Sequence, residues 1–424
     1  MVILIKNKSD EDPLLIFSRA AYVEETIGRG NSQVRSIEVD ATGTLCALVD
    51  VCGTISIYER KEKWEKVASW RFKNLDTPKS ARRSGANHHP ISTTLRPKIL
   101  VRFSNLHARL LAIGTTNRAK IHVFGETLRS KNQWERKTTM SSADLITEMR
   151  FSPAHLEFSL VTGTCSGWIV VHQMFDPTNP KTWRPIHAIS VFRDQPISSL
   201  SWNQNPVHEL PIIVASTNGL TAAPNRRIAV FAINSPSVRP ETNMCFESTS
   251  VVSCVAFAPS IGLNDSLLAV ACGRRICLYL MNVEEFQVDR SESPSDSECE
   301  SSTPSVDETT PTLSYISSWA SDSSPIIPAN FFSVDAREQE IDRDSTDDEE
   351  EEEEPEDGRR ALMWNVRWVT VFRESSIVKS IHWGRSQDSF SAQFADGTVR
   401  SYKWSFGSVW TKSSEINLKS CFKG

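Results

Sequence analysis

Catalysis needs nucleophiles, acid–base pairs or metal ligands held at close spacing, and this chain does not supply that spacing. Nine histidines stand at 88, 89, 107, 122, 155, 172, 187, 208 and 382, and only His88 and His89 are adjacent. Nine cysteines, at 46, 52, 165, 245, 254, 272, 277, 299 and 421, include no C-x-x-C pair and no histidine at a zinc-site distance. The sequence has no G-x-S-x-G elbow, phosphate-cradling G-x-x-x-x-G-K, H-E-x-x-H or constellation of paired carboxylates. The expectation is a protein that is not an enzyme, with no cofactor, no metal and no small-molecule substrate. His172 and His382 fall in apolar strand-like runs, where satisfied structural residues are expected. Most cysteines fall in such runs too, where a thiol behaves as a small apolar group. Reduced thiols in a cytosolic or nuclear protein follow from that placement.

What the spacing does supply is a repeat of short strands. Between Trp134 and Trp202 the runs Ile146 to Phe151, Ser159 to Gly163 and Trp168 to His172 are of strand length and rich in β-branched and aromatic residues. Ser152-Pro153 and Ser166-Gly167 between them are turn chemistry. A fourth run follows Trp183 before the cycle restarts, which is the rhythm of a four-stranded propeller blade. The residue closing each first strand recurs as Val39, Phe103, Phe151, Trp202, Phe257 and Trp383, at intervals of 64, 48, 51, 55 and 126. Each third strand closes near Tyr58, Phe124, His172, Phe231, Tyr279 or Tyr402, and Trp64, Trp134, Trp183 and Trp410 begin outer strands. The fold class is therefore all-β, a propeller with six repeat units. Thr42-Gly43, Cys52-Gly53 and Asp396-Gly397 read as hairpin turns.

Composition bounds the rest. The 424 residues are 39% hydrophobic, with 12 Trp and 19 Phe, enough for a substantial core. No apolar run reaches the roughly 18 residues of a membrane-spanning helix, and the apolar start MVILI is too short for a signal-peptide core. A soluble protein that is not secreted is expected. The net charge of −5 conceals an asymmetry: residues 288–358 hold 23 Asp and Glu against three Arg, a net −20, leaving +15 on the remainder.

Four segments follow. Residues 1–33 form an N-terminal arm in which Leu14 to Val23 is a candidate edge strand for the last blade. Residues 34–287 carry blades one to five, interrupted by a polar, basic loop from Phe72 to Lys98 whose Arg82, Arg83, His88 and His89 are expected to be solvated, with contact to nucleic acid or an acidic partner as the alternative. Residues 288–358 are an acidic insertion with a six-Glu run at 349–354, of a composition expected to be disordered. Ser293, Ser297, Thr303, Thr310, Ser324 and Ser345 are its candidate phosphorylation sites, and Tyr315, Ile316, Trp319, Ile326, Ile327, Phe331 and Phe332 a candidate linear motif. Residues 359–424 return with the outer strand of blade five, expected at Trp364 to Phe372, and then blade six.

These units resemble WD-repeat propellers, although no third strand ends in Trp-Asp. More narrowly, the chain resembles the Seh-type nucleoporin family, the Sec-thirteen homologues of the nuclear pore scaffold. The resemblance rests on Trp64 to Trp70, on WERKTTM at Trp134 to Met140, on FSPAHLEFSLVTGTCSGWIVVH, and on FDPTNPKTW at Phe175 to Trp183. SLSWNQNP at Ser199 to Pro206 and VAFAPSIG through LAVACGRRICLYL carry it further. It covers most of residues 14 to 415 outside the basic loop and the acidic insertion.

That resemblance implies an open six-bladed propeller whose sheet edge accepts an extra blade from the N-terminal region of a helical scaffold nucleoporin, by β-augmentation. It implies other nucleoporins of the Y-shaped complex as partners, and a place at the nuclear envelope in the nuclear pore complex, supporting pore assembly and the transport of protein and mRNA. It also implies subunits of a nutrient-signalling complex at the lysosomal surface. A donated blade would meet blades one and six, which makes Val34, Ile37, Val51, Ile55, Ile381 and Phe394 the candidate partner-binding residues, each with a role in the intramolecular core as its alternative. Two other readings stand beside this one. APSIGL at Ala258 to Leu263 suggests the sister coat protein of secretory vesicles, and a propeller of this kind also suits an adaptor of a ubiquitin ligase or a chromatin complex.

Overall fold

Runs of five to eight residues that alternate apolar with polar suit antiparallel sheets stacked face to face. In the computed structural model the described residues form strands and turns, with no helix among them. Those residues are 2–4, 15–17, 25–26, 34–40, 42–50, 52–71, 98–104, 109–116, 118–127, 133–142, 144–156, 158–177, 179, 181–207, 211–219, 227–233, 242–246, 251–259, 265–287, 313–315, 360–384, 387–405 and 409–417.

Three short strands, β1 (Val2–Leu4), β2 (Leu15–Phe17) and β3 (Glu25–Thr26), form a small sheet of order β2-β1-β3. Six antiparallel blades follow. Blade one is β4 (Val34–Val39), β5 (Leu45–Asp50), β6 (Thr54–Arg60) and β7 (Trp64–Arg71). Blade two is β8 (Ile99–Phe103), β9 (Leu110–Thr115), β10 (Lys120–Glu126) and β11 (Trp134–Ser141). Blade three is β12 (Ile146–Phe151), β13 (Ser159–Thr164), β14 (Trp168–Met174) and β15 (Trp183–Ser190). Blade four is β16 (Ile197–Trp202), β17 (Ile212–Thr217), β18 (Ile228–Ala232) and β19 (Thr242–Phe246). Blade five is β20 (Val252–Phe257), β21 (Ser266–Cys272), β22 (Arg275–Gln287), β23 (Leu313–Tyr315) and β24 (Arg360–Arg373), in the order β20-β21-β22-β24-β23. Blade six is β25 (Val378–Trp383), β26 (Ser389–Phe394), β27 (Thr398–Ser405) and β28 (Val409–Asn417).

The sequence markers coincide with mechanical features. Val39, Phe103, Phe151, Trp202, Phe257 and Trp383 are each the last residue of an inner strand. In all six blades the pairing of third and outer strands shifts register immediately before the marker residue, at Tyr58, Phe124, His172, Phe231, Tyr279 and Tyr402. A bulge there increases the local twist, and each blade needs that twist to fan away from the axis. Anchor and outer-strand tryptophan meet edge to face: Phe103 with Trp134 and Phe151 with Trp183 at 6.2 Å, Trp383 with Trp410 at 6.0 Å. Two anchors also reach the preceding blade, Trp202 Nε1 donating to the Arg150 carbonyl at 3.1 Å and Trp383 Nε1 to that of Ala256 at 2.9 Å.

Of the candidate edge strand the described residues Leu15–Phe17 pair antiparallel with Val2–Leu4, and among the described residues blade six has β28 as its fourth strand. The outer strand of blade five lies across the acidic insertion in sequence, as β24 paired along β22. Val51, the basic loop residues Arg82, Arg83, His88 and His89, and all six candidate phosphorylation sites lie outside the described residues. So do Ile316, Trp319, Ile326, Ile327, Phe331 and Phe332.

The core sits between blades. Strand alternation gives each blade two faces, and among the described residues facing blades share apolar ones at five interfaces. Ile55, Ile57 and Val49 pack on Val101 and Ile113 between blades one and two, and Ile121 and Val123 on Met149 and Leu160 between two and three. Val161 and Ile169 meet Leu200 and Phe231 between three and four, while Val214 and Val230 meet Val255 and Leu268 between four and five. Ala269 and Leu278 meet Phe390 and Phe394 between five and six.

Candidate functional site

A closed six-bladed ring has six such interfaces, and the described residues form five apolar clusters. The inner strands tell the same story. β4 lies against β8, β8 against β12, β12 against β16, β16 against β20 and β20 against β25, whereas no comparably close packing joins β25 to β4 among the described residues. The junction between blades six and one is therefore the candidate site.

Its two walls differ in chemistry. In blade one, Leu45, Ala47 and Val49 face blade two, so Cys46 and Leu48 face the junction. Ile37 is opposite Leu48 in register, and Tyr58 opposite Cys46, so both share that face. In blade six, Ile381, Trp383, Phe390, Ala392 and Phe394 face blade five. Ser380, Ser391, Gln393 and Ser401 face the other way and hydrogen-bond among themselves, Ser391 with Ser401 at 3.1 Å and Ser380 with Gln393 at 3.5 Å. A mixed apolar wall thus stands across from a hydroxyl- and amide-rich one, and such walls share no hydrophobic driving force.

Of the six candidate partner-binding residues, Ile37 is on the junction face. Ile55 is fully buried against blade two, while Ile381 and Phe394 are buried against blade five. Those three serve intramolecular interfaces, because a strand has period two and a one-residue difference in phase turns a side chain to the opposite face. Val34 begins β4, and of it the structure describes the backbone alone. Leu48, Ser391 and Gln393 were missed. Their register partners could not be assigned from spacing without the pairing.

The inner rim carries a chain of charge across four blades. Arg102 of β8 donates to Glu148 of β12 at 2.5 Å, to Glu38 of β4 at 3.3 Å and to the Met149 carbonyl at 3.0 Å. Arg150 lies 3.7 Å from Glu148 and donates to the Leu200 carbonyl of blade four at 3.4 Å. Burial opposes ionisation of Glu148, but Arg102 and then Arg150 outweigh it and hold its carboxyl at about 2. Solvent reaches His382 on the inner strand of blade six. Enclosure by the surrounding strands, and then the charges of Arg150 and Arg102, nevertheless push its pKa down to about 4. His172 is driven to about 4 by burial alone. No group of three His, Cys, Asp or Glu among the described residues is arranged to hold a metal ion. Cys46, Cys52, Cys165, Cys254, Cys272 and Cys277 are free thiols, and no described helix is long and apolar enough to cross a membrane.

No protein-family model matches the chain. It is similar to nucleoporin seh1 of Drosophila melanogaster, 30% identical over 167 residues that make up 38% of this chain and 46% of the fly protein. Nucleoporin SEH1 of Homo sapiens is 27% identical over 149 residues, 34% of this chain and 40% of the human one. Nucleoporin SEH1-A of Xenopus laevis is 28% identical over 152 residues, again 34% and 40%. The matched stretch spans less than half the length of each of these relatives. The resemblance to Seh-type nucleoporins holds in these comparisons, and the six-bladed β architecture agrees with it.

Proposed function

We propose that this chain, similar to the Seh1-type nucleoporins and built as a WD-repeat-like propeller, is a non-enzymatic scaffold of the nuclear pore. In this reading it belongs to the Y-shaped complex and acts at the nuclear envelope. It binds a helical nucleoporin by accepting an additional blade between blades six and one, contacts other nucleoporins of that complex, and so supports pore assembly and the transport of protein and mRNA. The observation that carries the reading is the junction where the described residues form no apolar cluster, whereas they form one at each of the other five. An inserted strand set would supply backbone hydrogen bonds and meet the half-buried Ile37 on the blade-one side.

Purification of the endogenous protein under gentle conditions tests this. Scaffold nucleoporins at near-equal amounts are the expected result, and removal of the N-terminal strand segment of the helical partner then abolishes the association. Vesicle-coat or ubiquitin-ligase subunits in their place overturn the pore reading. Recovery of nutrient-signalling subunits from lysosomal membranes, alongside the pore set, would establish the second role that the family resemblance suggests.

A further inference from the structure

The residue just before each inner-strand anchor occupies the same level of the ring in all six blades. In chain order these residues are Glu38, Arg102, Arg150, Ser201, Ala256 and His382. Two residues earlier on each inner strand, the charged group is Glu148 and the other titratable one is Cys254. Fixed charge is thus gathered on blades one to three, while blades four and five present short side chains. Inner strands pack in chain order, and blades three and six are three places apart in a ring of six. Arg150 and His382 therefore stand on opposite sides of the axis.

The carboxylates of this rim are already engaged. Arg102 donates to Glu38, to Glu148 and to the carbonyls of Met149 and Val101, which commits its fork to the protein. Arg150 is different. It donates through Nε to the Leu200 carbonyl, with Glu148 at 3.7 Å from the same nitrogen, and no described residue accepts from its two terminal nitrogens. Its side chain is 37% exposed although it belongs to an inner strand. His382 is exposed too, with Nε2 at 3.1 Å from the Ser380 hydroxyl, and the charges of Arg150 and Arg102 reach it. Solvent inside the ring thus meets a guanidinium fork on one side and an imidazole on the other. Ser201 and Ala256, on the blades between them, project little beyond the backbone.

We propose that this rim binds a phosphate or sulfate group, held by the terminal nitrogens of Arg150 and by His382 in its protonated form. A planar fork matches two oxygens of such a group. The tetrahedral centre directs its remaining oxygens elsewhere, where a donor across the axis can take them. A carboxylate, with both oxygens in one plane, would satisfy the fork and leave the imidazole without an acceptor. Among the described residues, the charged and titratable groups at the two levels are Glu38 on β4, Arg102 on β8, Glu148 and Arg150 on β12, Cys254 on β20 and His382 itself; β16 contributes serines. With His382 protonated, three cations face two carboxylates, and the net charge of +1 is what the anion balances. The site does not depend on the pore reading.

Histidine resonances of the full chain, labelled at the imidazole Cε1, test this, with His382 assigned from His382→Gln. Inorganic phosphate, added at a pH between 4 and 6.5, should shift the His382 resonance saturably and leave that of buried His172 in place. Sulfate does not titrate in this range. It should raise the His382 midpoint from about 4 by about one pH unit or more, the shift produced by a tenfold preference for the protonated ring. Affinity should accordingly increase as pH falls toward that midpoint. Arg150→Gln should weaken the response at least tenfold, with an unmoved His172 resonance showing that the fold is kept; should that variant fold poorly, Arg150→Lys tests the fork with the charge retained. A His382 resonance that phosphate leaves unmoved, or that chloride at equal ionic strength moves as far, overturns the site. Acetate acting at lower concentration than sulfate overturns the assignment to a tetrahedral oxyanion. Inorganic phosphate compared with a phosphoserine peptide distinguishes a free ion from a group carried on a chain, the tighter of the two identifying the source.

Discussion

Arg102 joins three blades through one side chain, and Glu148 is its most buried partner, at 6% side-chain exposure. Arg102→Ala leaves that carboxylate buried and unpaired, and should cost about 3–5 kcal/mol. Replacing both residues by apolar ones of similar volume, Arg102→Met with Glu148→Leu, should recover much of the loss in urea unfolding. Acid should act on the same pair. Because the folded Glu148 is held at about 2, below its ordinary 4.5, its contribution is complete above pH 4.5 and is lost as pH falls from there through about 2. His172, buried in the fold, acts in an earlier window: it is lowered from 6.5 to about 4, so the unfolded chain takes up a proton first and stability declines as pH falls from 6.5 to about 4. The equivalent bulge position holds Tyr or Phe in the other five blades. His172→Phe should therefore leave the neutral-pH melting temperature nearly unchanged and flatten its decline between pH 6.5 and 4, as thermal scans at stepped pH would reveal.

The turn between β13 and β14 shows how closely neighbouring blades are fitted. Gly167 has φ +84°, and a Cβ there would sit 1.6 Å from the Phe192 carbonyl oxygen and 2.8 Å from that of Gln195. Gly43, with φ +75°, has nothing within 4 Å of the same point. Gly43→Ala should cost about 1–2 kcal/mol, the left-handed backbone penalty alone. Gly167→Ala should cost more than that, because backbone of the loop leading to blade four must move; equal losses in denaturant unfolding would contradict this. At Asp396-Gly397 the turn is held differently. The Asp396 carboxylate accepts from the Thr398 amide at 2.8 Å and from its hydroxyl at 2.7 Å, so side chain and glycine together set the hairpin.

Among the described residues of the ring, five junctions are apolar and the sixth sets a mixed apolar face against a hydroxyl- and amide-rich one. A blade accepted at the sixth should raise the melting temperature in proportion to partner occupancy. Ile37→Asp should reduce recovery of the donor nucleoporin at least tenfold while leaving the melting temperature within a few degrees. Ile381→Asp should instead unfold blade six, because that side chain is buried against blade five. Loss of partner with Ile37→Asp and an intact fold supports the proposed junction; normal recovery removes it.

Much of the architecture could be read from the chain alone, because strand existence depends on local composition and period. The six anchors, the bulge residues and the opening tryptophans of the outer strands sit in the strands expected of them, and the displaced outer strand of blade five was visible as an apolar run after the acidic segment. Which way a side chain faces was another matter. Ile55, Ile381 and Phe394 could be placed by position at a partner border or in the core, and they are buried in the core, since facing is settled by strand pairing and by the bulge that resets its phase. The rim charges Glu38, Arg102, Glu148 and Arg150, separated by up to 112 positions in the chain, meet because the ring brings inner strands together. Composition and periodicity determined the strand class and the six repeat units; tertiary packing decided which way side chains face, because a face exists only when a neighbouring blade covers it.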